Sequence, residues 1–157
     1  MPVVQDTYSN YPASGYAGMV ANGETSNRIS RTIEDAAGVG FGVPVYRGSG
    51  DHGCTATVGT AATFLGFTIA DHGIATVAGG TADVAPQYAS VGILTGGVMW
   101  VNTIGAIADG AAVTIGKGAG LADGIGNTAA DATHIAATGW VTDDTLAASG
   151  LARIAKR

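Results

Sequence analysis

Two copies of the tripeptide Asp-His-Gly, at residues 51–53 and 71–73, carry the side chains of this sequence that are best suited to chemistry. Cys54 directly follows the first copy, and thiol, imidazole and carboxylate groups are the donors that bind zinc and related metals. However, neighbouring residues of a strand point to opposite faces, so an Asp-His pair does not aim both groups at one ion. Each copy also ends in glycine between predicted strands, as hairpin turns do. The pattern therefore favours two turns over a metal site.

A cysteine nucleophile activated by a histidine is the second kind of chemistry that these residue types allow. His52 or His134 could act as the base for Cys54. The sequence shows neither a third group to orient the histidine nor an oxyanion-hole motif. A single cysteine in a chain rich in alanine and β-branched residues is typically a small buried apolar side chain. We therefore expect Cys54 to lie in the core and the protein not to be an enzyme.

Three further motifs do not meet the requirements of the sites they resemble. The run Gly38-Val-Gly-Phe-Gly42 lacks the spacing of a dinucleotide-binding loop, and Gly116-Lys-Gly118 lacks the Ser or Thr that follows lysine in a phosphate loop. The consecutive acids Asp143 and Asp144 could bind calcium, but they are more simply a solvated turn. The sequence thus predicts no catalytic residue, no cofactor and no metal.

The composition is that of one domain with an unusually uncharged surface. The chain has 157 residues, of which 12% are charged and 26 are glycine. In average domains about 25% of residues are charged and about 7% are glycine. So few charges do not coat a free monomer well, and we expect part of its surface to be buried against partner chains.

Charge and cysteine content narrow the range of partners and compartments. The net charge is −5 and the seven basic residues are scattered, whereas nucleic-acid binding needs clustered Lys and Arg. We interpret the basic group Arg153, Lys156 and Arg157 as a solvated chain end. One cysteine and the absence of a signal-peptide pattern predict synthesis in a reducing cytoplasm. Residues 84–108 carry no charge, but turn-forming residues interrupt them, so we predict two buried strands and no membrane span.

Residues 1–35 lack any sustained helical or strand period, which predicts an extended N-terminal arm with one short strand near residues 18–21. The arm holds three of the five tyrosines, Tyr8, Tyr11 and Tyr16. Tyrosine fills interface pockets at low entropic cost. These side chains either adhere to a partner or pin the arm to its own domain, and the sequence leaves both alternatives open.

Residues 36–157 are predicted to form an all-β domain. Short runs of β-branched and aromatic residues recur between turns that contain Gly, Asp or Asn, which is typical of a small β-barrel or β-sandwich of short antiparallel strands. Pro44 predicts an edge strand or a bulge, and a short helix is expected at 128–132. The predicted strands are 40–46, 56–58, 63–70, 73–77, 90–94, 97–104, 112–115, 134–141 and 150–154.

The order of five motifs resembles the structural cement, or capsid decoration, proteins of tailed bacteriophages. One departure is Ala111, because an acid or amide often follows the glycine at this place in the family. The matching segments are Tyr8-x-x-Tyr11-Pro-Ala-x-Gly15-x-x-Gly-Met19, Ala37-Gly-Val-Gly-Phe-Gly-Val-Pro-Val45, Phe64-Leu-Gly-Phe-Thr-Ile69, Val91-x-x-Leu-x-x-Gly97-x-Met-Trp-Val101 with Ala108-Asp-Gly110-x-x-Val113, and Gly139-Trp-Val141 with Ser149-Gly-Leu-Ala-Arg153.

The resemblance implies a non-enzymatic protein that assembles as a homotrimer on the outside of the mature head. Such trimers sit at three-fold and quasi-three-fold positions, where subunits of the major capsid protein meet, and resist the pressure of packed DNA. The predicted contacts with the capsid or a neighbour are Tyr8, Tyr11, Tyr16, Arg28 and Arg31. Deleting residues 2–30 is expected to leave the domain folded and to weaken capsid attachment.

Two rival interpretations remain at the level of the sequence. The first is another structural component of a phage, such as a head–tail protein, a tail-fibre protein or a minor adhesin, which would share the β-rich pattern. The second is a cysteine hydrolase or metal-binding β-barrel that uses Cys54, His52 and His72. The second is the weaker, since no motif supports it.

Overall fold

The computed structural model of the protein describes residues 15–73, 83–117 and 124–157. Within these ranges the chain forms eleven strands and no helix, which confirms the predicted all-β class. No helix of the described residues is long and apolar enough to cross a membrane. The strands are β1 (Asn27–Ile33), β2 (Val39–Gly40), β3 (Pro44–Arg47), β4 (Gly53–Thr55), β5 (Phe64–Thr68), β6 (Val84–Ala85), β7 (Ser90–Asn102), β8 (Ala112–Gly116), β9 (Ile125–Gly126), β10 (His134–Thr142) and β11 (Leu151–Lys156).

Five strands close into a ring. Hydrogen bonds connect them in the order β1-β4-β3-β5-β7, and β7 pairs again with β1. The β1–β7 pairing is antiparallel from Asn27↔Gly96 to Thr32↔Ser90, whereas β1 and β4 pair in parallel at Thr32↔Gly53. A closed ring has no free edge to which another strand could add. This half of the molecule is therefore a β-barrel, one of the two architectures that the sequence predicts.

The other half of the sheet grows from the same long strand. Beyond the ring, β7 pairs with β11 from Leu151↔Asn102 to Lys156↔Gly97, and β10, β8 and β9 follow in that order. The strand at the end of this order, β9, lies close to the chain that follows β7. The Ile104 N–H, two residues after β7, donates to the Ile125 carbonyl of β9 at 3.0 Å. A separate two-stranded sheet, β2 with β6, completes the fold.

A bend within β7 lets this one strand serve both halves. The sequence predicts two strands, at 90–94 and 97–104, but the structure joins them into 13 residues. Gly97 has a φ of +122°, and a Cβ there would lie 2.8 Å from the Cβ of Ser26. Glycine is therefore needed for the backbone angle and for the close approach of residue 26. The glycines that suggested a turn produce a change of direction within a continuous ladder.

Alternation along the strands divides the buried side chains between two clusters. Val45 and Tyr46 are neighbours on β3 but lie in different clusters, as successive residues of a strand must. The first cluster comes from the ring and the two-stranded sheet: Ile33, Val39, Val45, Cys54, Ala85, Val91 and Ile93. The second lies between the ring and the remaining strands: Tyr46, Phe67, Leu94, Met99, Val101, Val113, Ile115, Ile125, Ile135, Ala137, Trp140 and Ile154.

Aromatic contacts join the two halves through the second cluster. The rings of Phe67 on β5 and Trp140 on β10 meet edge to face, with centroids 5.0 Å apart. Phe64 packs against Phe67 at 5.4 Å and against Tyr46 at 5.7 Å. Such pairs add about 0.5–1.5 kcal/mol beyond the area that they bury. The side chain of Trp140 is 1% exposed, so it is the main bridge between the ring and the outer strands.

The sequence interpretation is wrong at β1. It places no strand between residues 22 and 35, yet Asn27–Ile33 closes the ring. The run Asn-Arg-Ile-Ser-Arg-Thr-Ile is difficult to recognise because one face is largely exposed, and only Ile33 is fully buried. Deleting residues 2–30 would therefore remove half of a barrel strand. Residues 1–14 lie outside the described residues, so an arm there stays a prediction.

Smaller differences concern single elements. Residues 128–132 form no helix. The Thr114 hydroxyl of β8 donates a hydrogen bond to the Thr128 carbonyl at 2.7 Å and holds this segment against the sheet. The strand expected at 56–58 lies instead at Gly53–Thr55. Most of the strand predicted at 73–77 falls outside the described residues.

Of the two alternatives predicted for the strand that contains Pro44, the structure confirms the bulge and not the edge strand. It is the first residue of β3, which lies between β4 and β5. The β3–β5 register shifts between Val45 and Tyr46. Proline is compatible with this place because a strand start next to a bulge does not require its missing N–H.

Replacing Trp140 by Ala tests whether this ring holds the two halves together. We expect the free energy of unfolding to fall by about 3–5 kcal/mol, as is usual when a buried aromatic side chain is truncated. Trp140→Phe keeps one edge-to-face contact with Phe67, so its loss should be clearly smaller. Urea denaturation followed by far-UV circular dichroism measures both. Equal losses in the two variants would contradict the bridging role.

Candidate functional site

The two Asp-His-Gly copies lie in turns, as the sequence predicts. Asp51 and His52 form the turn between β3 and β4, and residues 72–73 form the turn after β5. His72 pairs with Asp83 at 3.2 Å and its ring packs against Tyr16, with centroids 5.1 Å apart. Among the described residues, no three His, Cys, Asp or Glu side chains are grouped so that they could hold a metal ion.

Cys54 is a buried core residue, in agreement with the sequence prediction. It lies on β4 between β1 and β3 and has no exposed surface. Burial and the nearby carboxylates of Asp35 and Glu34 raise the pKa of its thiol to about 11. The thiol is therefore protonated near neutral pH, whereas the nucleophilic form of cysteine is the thiolate.

Two acids that follow β1 shape the adjacent end of the barrel. Glu34 accepts hydrogen bonds from the Ser49 N–H at 2.8 Å, the Ser49 hydroxyl at 2.9 Å and the Gly50 N–H at 2.8 Å. These bonds favour the ionised form and lower the pKa of Glu34. Asp35 accepts from the Thr55 hydroxyl at 2.8 Å and the Ala56 N–H at 2.9 Å. Both carboxylates therefore serve to fix loops.

The interpretation of Asp143-Asp144 as a solvated turn is wrong, and two of the three basic residues near the chain end, Arg153 and Arg157, form ion pairs. The Arg153 guanidinium donates to the Asp144 carboxylate at 2.8 Å and the Arg153 N–H donates to it at 2.7 Å. Arg157 donates to Asp143 at 3.3 Å and to Glu24 at 3.1 Å. Hydrogen bonds from arginine lower the pKa of Asp144 and of Glu24. These groups tie the last strand to the loop before it and to the loop before β1.

The root of the N-terminal segment, residues 15–21, is bound to β7. The Gly18 N–H donates to the Trp100 carbonyl at 2.8 Å, the Trp100 N–H donates to the Met19 carbonyl at 2.9 Å, and Val20 bridges to Met99. The short strand predicted near residues 18–21 is reduced to this single bridge at Val20, which follows a turn at residues 17–18. A Cβ at Gly15 would lie 2.6 Å from the Trp100 ring, so only glycine allows the chain to pass this indole. Residues before 15 therefore start from a fixed point on the surface.

The structure does not gather the predicted contact residues into one patch. Tyr16 is 48% exposed beside His72. Arg28 and Arg31 lie on β1 three residues apart, so they point to opposite faces of the strand. Tyr8 and Tyr11 lie outside the described residues. The role of all five in binding stays a prediction.

Sequence reasoning missed an exposed residue and two cavities. Tyr88, in the segment predicted to be buried strands, is 77% exposed, and only its place two residues after Pro86, in a turn context, could have indicated this. Ile104 lines two cavities of about 300 and 230 Å³. Among the described residues that line them, His134 is the one titratable side chain.

The described residues thus form an all-β protein in which several charged side chains fix loops or tie the last strand, β11, to neighbouring loops. The family model described as structural cement protein (E217 gp24/Pam3 gp6) matches residues 4–156. This chain belongs to that family. It is a capsid cement protein of a bacteriophage and a structural component of the virion.

A solved structure agrees with the family at the level of the fold. A chain of the structure titled "The capsid of Myoviridae Phage XM1" superposes with a TM-score of 0.70 and 12% sequence identity, covering 100% of this chain and 98% of that one. At this identity the likeness shows the fold alone. No curated protein matches the chain.

Acid should weaken the turn before β10, where Asp131 accepts from the Thr133 N–H at 2.6 Å, the Thr133 hydroxyl at 2.8 Å and the His134 N–H at 2.8 Å. These bonds lower the pKa of Asp131 from 3.8 to about 2. A lowered folded-state pKa gives stability that is present above pH 3.8 and is lost as the pH falls towards 2. We therefore expect Asp131→Asn to destabilise the protein at pH 7, and we expect its difference from the wild type to shrink as the pH falls towards 2.

Urea unfolding of both proteins between pH 7 and pH 2 measures this difference. Because the Asp131 carboxylate is exposed, the effect is expected to be small and to shrink in high salt. Asp109→Asn, which changes another exposed acid, is the control. A stability difference between Asp131→Asn and the wild type that is the same at pH 7 and pH 2 would contradict the linkage.

Proposed function

We propose that this cement protein binds the outside of the mature capsid as a homotrimer, at three-fold and quasi-three-fold positions where subunits of the major capsid protein meet. There it stabilises the shell against the pressure of packed DNA. The observation that carries the proposal is the match of the structural cement family over residues 4–156. The low charge content supports it, because 12% charged residues suit a subunit with much of its surface covered.

The stabilising effect follows from selective binding. A ligand that binds the assembled shell but not free capsid subunits shifts the equilibrium towards the shell by mass action. A standard protein interface buries about 1,600 Å². Many copies on one shell, each crossing a boundary between capsid subunits, add their modest affinities into a large resistance to opening. No chemical step is needed for this function.

We propose that the protein is not an enzyme and has no nucleic-acid partner. The protonated thiol of Cys54 and its burial argue against covalent catalysis. The net charge of −5 opposes binding to a polyanion. Arg153 and Arg157 are engaged by the carboxylates of Asp144, Asp143 and Glu24, so they form no basic patch.

Co-sedimentation with undecorated capsids tests the proposal. Purified protein is mixed with expanded capsids of the phage that encodes it, and unexpanded shells are the control. We expect saturable binding to expanded shells, near three copies per three-fold or quasi-three-fold position. Cryo-electron microscopy of the decorated shells then locates the protein on the outer or the inner face. Absence of binding to either shell would favour a head–tail, tail-fibre or adhesin role instead.

The N-terminal segment gives a sharper test of how the trimers attach. The deletion must stop at residue 14, because residues 15–21 are bonded to β7 and residues 27–33 form a barrel strand. Removing residues 2–14 should leave the melting temperature nearly unchanged, since the described contacts remain. If the segment reaches a capsid subunit or a neighbouring trimer, the dissociation constant for capsids should rise about tenfold or more.

Variants of the full-length protein distinguish the contribution of the tyrosines to capsid binding from the contribution of the segment's length. Replacing Tyr8 and Tyr11 together by Ser should weaken binding, whereas replacing both by Phe should largely preserve it, because the rings carry most of the contact area. A scrambled segment of the same composition controls for non-specific adhesion. Full capsid occupancy after deletion of residues 2–14 would contradict an adhesive segment.

A further inference from the structure

The turn Pro86–Ala89 carries a large side chain on a backbone conformation that such residues avoid. The Ala89 N–H donates to the Pro86 carbonyl at 3.1 Å and closes the turn. Tyr88, its third residue, has a φ of +65°. A positive φ at this position of a turn is normally provided by glycine or asparagine. For tyrosine the left-handed region is strained and costs folding free energy.

Three hydrogen bonds hold the turn against the end of β1. The Tyr88 N–H donates to the Ile33 carbonyl at 2.9 Å, and the Ile33 N–H donates to the Ala89 carbonyl at 3.0 Å. The Gln87 side chain donates to the Glu34 carbonyl at 2.9 Å. Because β1 closes the barrel, the turn is fixed to a rigid element. The strained conformation is thus determined by its surroundings.

Most of the Tyr88 side chain is exposed, so its burial against the described part of the chain offsets little of this strain. Tyr88 is 77% exposed, compared with 48% for Tyr16 and for Ile104. Tyr16 packs against His72, but within the described part of the chain the Tyr88 ring makes no aromatic contact. Backbone strain that its surroundings hold in place beneath an exposed side chain is typical of residues kept for binding.

The surface around Tyr88 has the pattern of a binding centre. Glu34 links two loops at this end of the barrel, since its carboxylate holds residues 49–50 and its carbonyl holds Gln87. The exposed residues of these loops include Ala36, Ala37 and Ser49, together with Arg47, Asp51 and His52. A rigid, exposed aromatic ring is the type of side chain that dominates interface hot spots.

We propose that Tyr88 is an anchor that inserts into an apolar pocket on the surface of the assembled major capsid protein. The proposal rests on the capsid-binding function proposed above. A ring that is fixed before binding loses little conformational entropy on docking. This suits attachment to a shell that is already assembled and rigid.

The position of the turn separates this contact from the N-terminal segment. Tyr88 lies two residues before β7, whereas the root at residues 15–21 is bonded to the second half of that strand, at Val98 and Trp100. One subunit therefore presents two separate features that suit a partner, and each can be changed without the other. The fixed ring suits the rigid shell.

The test uses Tyr88→Gly in the full-length protein. Glycine removes the ring and relieves the positive φ, so the melting temperature should stay the same or rise. The dissociation constant for expanded capsids, measured by co-sedimentation, should nevertheless rise about 30-fold, the loss typical of a hot-spot residue. Tyr88→Phe should bind within about threefold of the wild type, because it keeps the ring. The expected result is a melting temperature that is unchanged or higher, together with a higher dissociation constant for capsids.

Asp83→Gly is the matched control. Asp83 has a φ of +62° and carries no ring, so its replacement by glycine also relieves a positive φ and, among the described residues, removes an exposed contact with His72. We expect this variant to bind capsids like the wild type. Failure of the wild type to bind would defeat the proposed function, whereas equal binding of wild type and Tyr88→Gly would overturn only the anchor. Loss of self-association in Tyr88→Gly, measured by analytical ultracentrifugation, would place the ring between copies and also overturn it.

Discussion

The backbone hydrogen bonds of β7 hold together segments of the chain that are far apart in sequence. Its first half pairs with β1 and β5 and so completes the barrel, and its second half pairs with β11 and with the root at residues 15–21. A strand in the middle of a sheet must satisfy its polar groups on both sides. The change of direction at Gly97 allows this without breaking the ladder. Both halves of the fold are therefore aligned by one strand.

Several charged side chains of this molecule fix its loops through hydrogen bonds. Glu34 and Asp35 hold the end of the barrel, Asp131 holds the turn before β10, and Asp144 with Arg153 fixes the start of β11. With 12% of its residues charged, the chain has few further charges for its surface. A surface with few charges is suited to being covered by other subunits of a capsid.

Much of the fold could be predicted from the sequence, because most strands show β-branched alternation between turn residues. The strands at 64–68, 112–116, 134–142 and 151–156 lie close to their predicted places. The strand β1 could not be found, because its exposed face is polar and its pairing with β7 joins residues about 60 apart. Local patterns do not report such distant partners.

The candidate binding surface was less predictable than the fold. The turns at the two Asp-His-Gly copies and the burial of Cys54 follow from local rules. The ion pairs of Asp143 and Asp144 depend on tertiary contacts with Arg157 and Arg153, so their sequence suggested only a solvated turn. The exposure of Tyr88 had only one local signal, its place two residues after Pro86, because its conformation is imposed by hydrogen bonds with the end of β1. Residues that act through the folded backbone cannot be recognised from their neighbours in sequence.

The position of β11 has a consequence for the order in which the chain folds during synthesis. Residues 151–156 lie between β7 and β10 in the sheet, although they come after both in the chain. The second half of β7 therefore lacks its main partner until this late segment has left the ribosome. Distant pairings of this kind also make folding slow. We expect the barrel to form first and the outer strands to join it only when translation has passed residue 156, so that no incomplete chain can present the finished surface to a capsid.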